Sequence, residues 1–321
     1  MFLEQAVNPI NKIWKYIVGT VIIVIGASIG QVPLVAALYM QSVMDDRPMP
    51  TTNEGIMKFM DSNLTLLLLM ISFAGALLAV YFVVRFVHNQ TFKSVTTSRA
   101  KVDWNRIIFA FGVWSLMTII STVIAYFIVP EDFVWNFKPL RFAILALIAI
   151  PLIPIQTSAE EYIFRGYLMQ GFANLALNRW LPLLMTSVIF GLMHIANPEV
   201  EKMGYIVMVF YIGTGLFLGI ITLMDEGMEL ALGFHAANNM IGALLVTADW
   251  SAFQTASLLK DISEPTAGYD ILLPIIIIYP ILLYIFSKKY KWTNWREKLT
   301  GKIYADGNDI SEGKNGQPHI Q

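Results

Sequence analysis

Long apolar runs with almost no internal charge recur along this chain, and such runs leave few folds open. A helix crossing roughly 30 Å of hydrocarbon at about 1.5 Å per residue takes about 20 mainly apolar residues. In lipid its backbone groups must all bond internally. The clear runs are about Tyr16–Met40, Leu64–Val84, Ile107–Val129, Tyr205–Met224 and Ile271–Ser287; Leu181–Ala196 and Leu230–Val246 are shorter, and each contains a histidine. From Phe142 to about Leu175 the run is interrupted by Pro151 and Pro154, and reads as one kinked or broken helix. The expected fold is an all-α, polytopic transmembrane helical bundle of about eight spans. Composition agrees: 56% hydrophobic and 14% charged residues, with a mean hydropathy of +0.59, do not suit a water-soluble domain.

The loops assign an orientation. Arg85, Lys93, Arg99, Lys101 and Arg106 cluster in one connection, and Lys288, Lys289, Lys291, Arg296 and Lys298 follow the last run. The positive-inside rule places both in the cytoplasm. An even count of eight spans also keeps Lys12 and Lys15 there, so both termini are expected to be cytoplasmic and Met40–Asn63, Pro130–Arg141 and Asp249–Asp270 external. The N-terminal run is longer than a signal-peptide core and lacks a convincing cleavage site, which reads as an uncleaved first span. The expected divisions are a three-span N-terminal region over 1–139, a core over 140–250, an external loop with the final span and basic segment over 251–299, and a disordered tail over 300–321. Gly26 with Gly30, Ser187 with Gly191 and Gly215 with Gly219 place small residues one turn apart, as internal helix packing requires. A net charge of −1 carries no nucleic-acid signal, and the absence of cysteine excludes disulfides and thiol catalysis.

Three polar clusters stand inside this apolar sequence: Glu160-Glu161-Tyr-Ile-Phe-Arg165, Phe190-Gly-Leu-Met-His194 and His235-Ala-Ala-Asn238-Asn239. An ionisable group at a membrane helix centre costs about 2.5–3.5 kcal/mol on insertion scales, so such groups face a protein interior or a water cavity. On a helix, Glu161 and Arg165 are i,i+4 neighbours in the favourable order and can pair. Glu160 is turned away from that pair and is freer to meet water. Phe190 can pack beside His194, and His235 and Asn239 share a face. Asn238 lies off that face and suits a bond between helices. Glu160, His194, His235 and Asn239 thus supply a base, a proton partner and two oxyanion donors, the set needed to hydrolyse an amide with water.

The order of these motifs resembles the CAAX protease and bacteriocin-processing family, also called the Abi or Rce1-like type II CAAX prenyl endopeptidase family, over roughly residues 140–250. The resemblance implies an intramembrane endopeptidase. It implies that Glu160 activates water with help from His194, that His235 and Asn239 stabilise the oxyanion, and that Glu161 and Arg165 form a structural pair. The implied partners are a membrane-associated peptide or protein substrate and the lipid bilayer, and the chain has the look of a bacterial plasma-membrane protein. Family members act on prenylated CAAX proteins or serve in bacteriocin immunity, peptide maturation and secretion.

Two catalytic routes fit the residues. Glu160, His194 and His235 could hold a zinc ion with one open position; alternatively the carboxylate activates water directly and no cofactor is required. The chain has no His-Glu-x-x-His motif and no Gly-x-Ser-x-Gly elbow, and direct activation is the preferred expectation. Two other readings use the same residues: an ion- or proton-coupled transporter, and a non-catalytic membrane scaffold or immunity protein.

Overall fold

The computed structural model describes residues 1–7, 11–265 and 268–304. Helices dominate: α1 (Ile13–Met44), α2 (Asn53–Phe59), α3 (Ser62–Phe82), α4 (Trp104–Ile128), α5 (Pro139–Glu161), α6 (Met169–Ala176), α7 (Trp180–Leu192), α8 (Pro198–Met203), α9 (Val207–Asp225), α10 (Glu229–Leu245), α11 (Tyr279–Tyr290) and α12 (Trp295–Thr300). Local chemistry sets several starts. Thr52 and Asp61 accept backbone N–H bonds at the beginnings of α2 and α3, Asp103 does so for α4, and Pro139 opens α5 where its missing N–H costs nothing.

Among the described residues, five helical stretches are long and apolar enough to cross a membrane: Ile13–Met44, Ser62–Val87, Trp104–Ile128, Pro139–Ala176 and Val207–Asp225. Trp180–Leu192 is a shorter apolar helix. The expected runs at Leu230–Val246 and Ile271–Ser287 are also helical, but α10 has 17 residues and the last run is divided between a π-helical Pro274–Ile278 and α11. The reason is visible in α10: every residue from Glu229 to Ala237 is buried, against α4, α5 and α9. Its solvent is protein, so lipid does not set its length.

The expected break in the fourth run lies elsewhere. α5 continues through Pro151 and Pro154, and the Thr157 hydroxyl donates to the carbonyls of Ile153 and Pro154. The departure comes after Glu161, where Tyr162–Leu168 winds as a π-helix before α6.

α1 packs on α3, α3 on α5, α5 on α10 and α10 on α4, while α7 pairs with α9. Small residues permit close approaches between helices. A Cβ on Gly30 would stand 2.8 Å from the Ser72 Cα of α3, and one on Gly215 would stand 2.8 Å from the Ser187 carbonyl oxygen of α7. The small-residue spacings therefore serve packing inside the bundle.

Polar segments collect at two ends. At one, Arg99 pairs with Asp225 and Glu229, Arg106 with Asp225, and Arg179 with Glu4, while Trp292 donates to Asp225. Both expected cytoplasmic basic segments contribute there. At the other end Asp61 pairs with Arg141, and three short strands form a sheet in the order β1-β3-β2. β1 (Phe133–Trp135) is antiparallel to β3 (Leu259–Asp261), and β2 (Val246–Ala248) runs parallel to β3. Two loops expected on one side thereby meet. Within the tail expected from about Thr300, Ile303 is buried and its N–H bonds the Leu177 carbonyl. Residues 305–321 lie outside the described residues.

Candidate active site

The last turn of α5 and the middle of α10 bring the first and third polar clusters together. Glu161 and Arg165 are fully buried, with Arg165 Nη1 2.9 Å from Glu161 Oε1. Arg165 Nη2 also donates to the Gly215 carbonyl at 3.1 Å, and its guanidinium lies over the Phe190 ring, 4.4 Å from the centroid. The expected i,i+4 pair is present, although Arg165 itself stands in the π-helical segment.

His235 lies between the two glutamates. Its Nδ1 is 2.7 Å from Glu161 Oε1 and its Nε2 is 3.3 Å from Glu160 Oε2. Both ring nitrogens are therefore engaged. Glu160 and Glu161 differ in access: the Glu160 side chain is 16% exposed and that of Glu161 is 0%. Only Glu160 is placed to touch water.

His194 lies two residues beyond the end of α7. Its Nδ1 is 2.8 Å from the Phe190 carbonyl oxygen. A carbonyl can only accept, so Nδ1 donates and the neutral ring keeps its lone pair on Nε2. Phe190 stands between the two imidazoles, with centroids 4.8 Å from His194 and 6.0 Å from His235. His194 lies within electrostatic reach of Glu160 and His235. The second and third clusters, at unequal depths from their helix starts, meet across one ring.

Asn239 donates from Nδ2 to Gln156 Oε1 at 3.0 Å, and Gln156 donates from Nε2 to Glu160 Oε1 at 2.7 Å. Asn238 accepts from the Trp114 indole at 3.1 Å, the interhelical bond expected of it. Sequence reading missed three neighbours. Gln156 could have been found, since it is i,i+4 with Glu160. Trp114 and Tyr211 carry no such signal, because aromatic residues are ordinary in apolar helices; Tyr211 nevertheless stacks on His194 at 4.3 Å and receives a bond from Asn197.

Among the described residues no three His, Cys, Asp or Glu side chains group as a metal site: His235 turns one nitrogen to each glutamate, and His194 bonds the Phe190 carbonyl through Nδ1.

A family model described as "Type II CAAX prenyl endopeptidase Rce1-like" matches residues 136–241, the segment that holds Gln156, both glutamates, both site histidines and Asn239. A protein of Bacillus subtilis (strain 168), named "Uncharacterized protein YyaK", is 30% identical over 255 residues, covering 78% of this chain and 85% of that protein. No solved structure matches the chain.

Proposed function

We propose that this chain, which belongs to the Rce1-like type II CAAX prenyl endopeptidase family, is an intramembrane endopeptidase that cuts a membrane-associated peptide or protein. The observation that carries the reading is the unequal access of the paired acids: one carboxylate reaches water while its buried neighbour is locked to Arg165 and His235. Glu160 takes a proton from water as general base. His235, bonded to Glu160 at Nε2, shares that proton, and His194 offers the second lone pair at Nε2 for proton transfer. One Asn239 N–H is committed to Gln156 and the second remains to stabilise a developing oxyanion. Glu161 and Arg165 fix the ring of His235. No step passes through a metal, and no cofactor is required. In this reading the chain crosses the plasma membrane of a bacterium eight times, with both termini cytoplasmic.

The test is cleavage of candidate membrane peptides, prenylated CAAX peptides among them, by purified protein reconstituted in lipid. E160A and H194A should each lower kcat by about 100-fold or more, the scale of losing a positioned acid–base group. Addition of a chelator should leave the wild-type rate unchanged. Equal cleavage by wild type and both variants would remove these residues from the reaction, and loss of cleavage with chelator, restored by zinc, would replace direct water activation.

A further inference from the structure

Trp114 of α4, Asn238 and Asn239 of α10, and Gln156 and Glu160 of α5 form one continuous hydrogen-bonded chain across three helices. The Trp114 indole N–H donates to Asn238 Oδ1 at 3.1 Å, and Asn238 Nδ2 donates to Asn239 Oδ1 at 3.0 Å. Asn239 Nδ2 then donates to Gln156 Oε1 at 3.0 Å, and Gln156 Nε2 donates to Glu160 Oε1 at 2.7 Å. Two of these residues belong to the polar motifs as proposed machinery; Trp114, Asn238 and Gln156 do not.

The direction of the chain follows from its ends. An indole N–H can only donate, so Asn238 must turn its oxygen toward α4 and its amide nitrogen toward Asn239. The same requirement passes through Asn239 and Gln156 and delivers an N–H to Glu160. Starting from the other end gives the same answer, because an ionised carboxylate can only accept. Reversing any one carboxamide would place nitrogen against nitrogen and oxygen against oxygen on its two sides. Three amides whose orientation is otherwise free are thus fixed by one donor-only and one acceptor-only group. Bonds aligned in this way polarise one another, and the link that ends on a charge is the strongest.

The surroundings of Glu160 leave this oxygen to Gln156. His235 of α10 faces the other oxygen, Oε2, while Glu161 and Arg165 of its own chain segment and His194 after α7 make no hydrogen bond to Glu160. Gln156 is buried, and Trp114 is clamped by its contact with Phe234 at 4.5 Å between centroids. Asn239 stands in the middle of the chain, so the group proposed to act on the oxyanion and the group proposed to act on water share a single tether.

We propose that Trp114, Asn238 and Gln156 are positioning residues that act through this one-directional chain, holding the base Glu160 and the oxyanion donor Asn239 in mutual register. The proposal rests on the endopeptidase reading for its kinetic consequences, and on geometry alone for the chain itself.

The kinetic test is a double-mutant cycle with Q156L and W114F in the peptide-cleavage assay. Q156L removes the link to Glu160 at similar volume and should lower kcat by about 10- to 100-fold with KM changed less than about threefold, the scale of a lost hydrogen bond to a charged group. W114F keeps an aromatic ring and removes the remote donor; a loss of about three- to tenfold is expected. The combined variant should be no slower than Q156L, because the remote donor then has nothing to act through. Additive losses, or W114F cleaving as fast as wild type, would overturn the proposal. N238D, which retains shape and an acceptor for Trp114 but cannot donate to Asn239, provides a second break should Q156L fail to fold, and it should reproduce the kcat loss. A second readout needs no cleavage: the Trp114 indole ¹⁵N–¹H resonance, assigned by its absence in W114F, should move on Q156L. An unmoved resonance would break the chain even where the enzyme is active. If wild type cuts no peptide while the resonance moves, the chain stands and the endopeptidase reading fails.

Discussion

Replacing Arg165 with leucine should destabilise the protein more than replacing Glu161 and Arg165 together. Neither side chain of this pair is accessible, and Arg165 contacts Glu161 at 2.9 Å, the Gly215 carbonyl at 3.1 Å and the face of Phe190 at 4.4 Å. Its Nε and Glu161 Oε2 lack a hydrogen-bond partner among the described residues. The pair is thus incompletely satisfied, and its formation contributes little net stability. Its disruption is another matter, because R165L strands the Glu161 carboxylate with His235 as its remaining partner. Breaking a buried pair in this way costs about 3–5 kcal/mol. At about 2–4 °C per kcal/mol, the scale for a domain of 150–250 residues, the midpoint should fall by roughly 6–20 °C. In E161Q/R165L no buried charge is stranded, and at least half of that loss should be regained. The eight tryptophans suit melting followed by intrinsic fluorescence in detergent, and with no cysteine present a thiol-reactive dye has no target. An R165L midpoint within about 2 °C of wild type, or a double variant less stable than R165L, would refute the view that this pair is held for geometry at a cost in stability.

Two further outcomes can be read with the same melts. Glu199, in α8 outside the spanning helices, has its pKa raised by burial, with the Ala252 N–H bond at 2.7 Å opposing the shift. A raised folded-state value means the fold favours the protonated acid. That contribution is complete below the ordinary carboxylate range and is lost as pH rises through the raised value. E199Q keeps an acceptor for Ala252 and cannot ionise, so it should match wild type in acid and melt higher near pH 8; parallel pH profiles would contradict this. On α1, G30L would press its Cβ to 2.9 Å from the Ser72 carbonyl oxygen and should cost about 1–3 kcal/mol, whereas V32L, at a position 60% exposed toward lipid, should change little. Equal midpoints for the two would show that α1 does not depend on that close approach.

Much of the bundle was legible because lipid imposes a simple rule on sequence. Where a helix faces lipid, as α1 and α4 do along most of their length, hydropathy marks it and its ends fall within a few residues of the expected positions. α10 escapes the rule because its neighbours are protein, and a helix solvated by protein can be shorter and can carry histidine and asparagine. The three-residue strands escape it too: each is too short to display alternation, and β1 and β3 are joined by pairing across more than a hundred residues.

The site divides along the same physical line. Glu161 with Arg165 is a contact within one turn, and period alone finds it. The bond from His235 to Glu161 spans 74 positions and depends on how α5 meets α10, which no local period encodes. The π-helical stretch from Tyr162 to Leu168 adds a further obstacle, since it changes the phase of everything that follows and so decides which side of α6 meets α1. One consequence is visible at Gly171, where a Cβ would stand 2.7 Å from the Tyr16 ring: a close approach that a continuous 3.6-residue period from Glu161 does not specify. Cost in lipid correctly predicts that the acids and histidines face inward; the partner each one finds there depends on how α5, α7 and α10 meet, and the π-helical stretch directly after the acids is an irregularity of the kind frequent at functional sites.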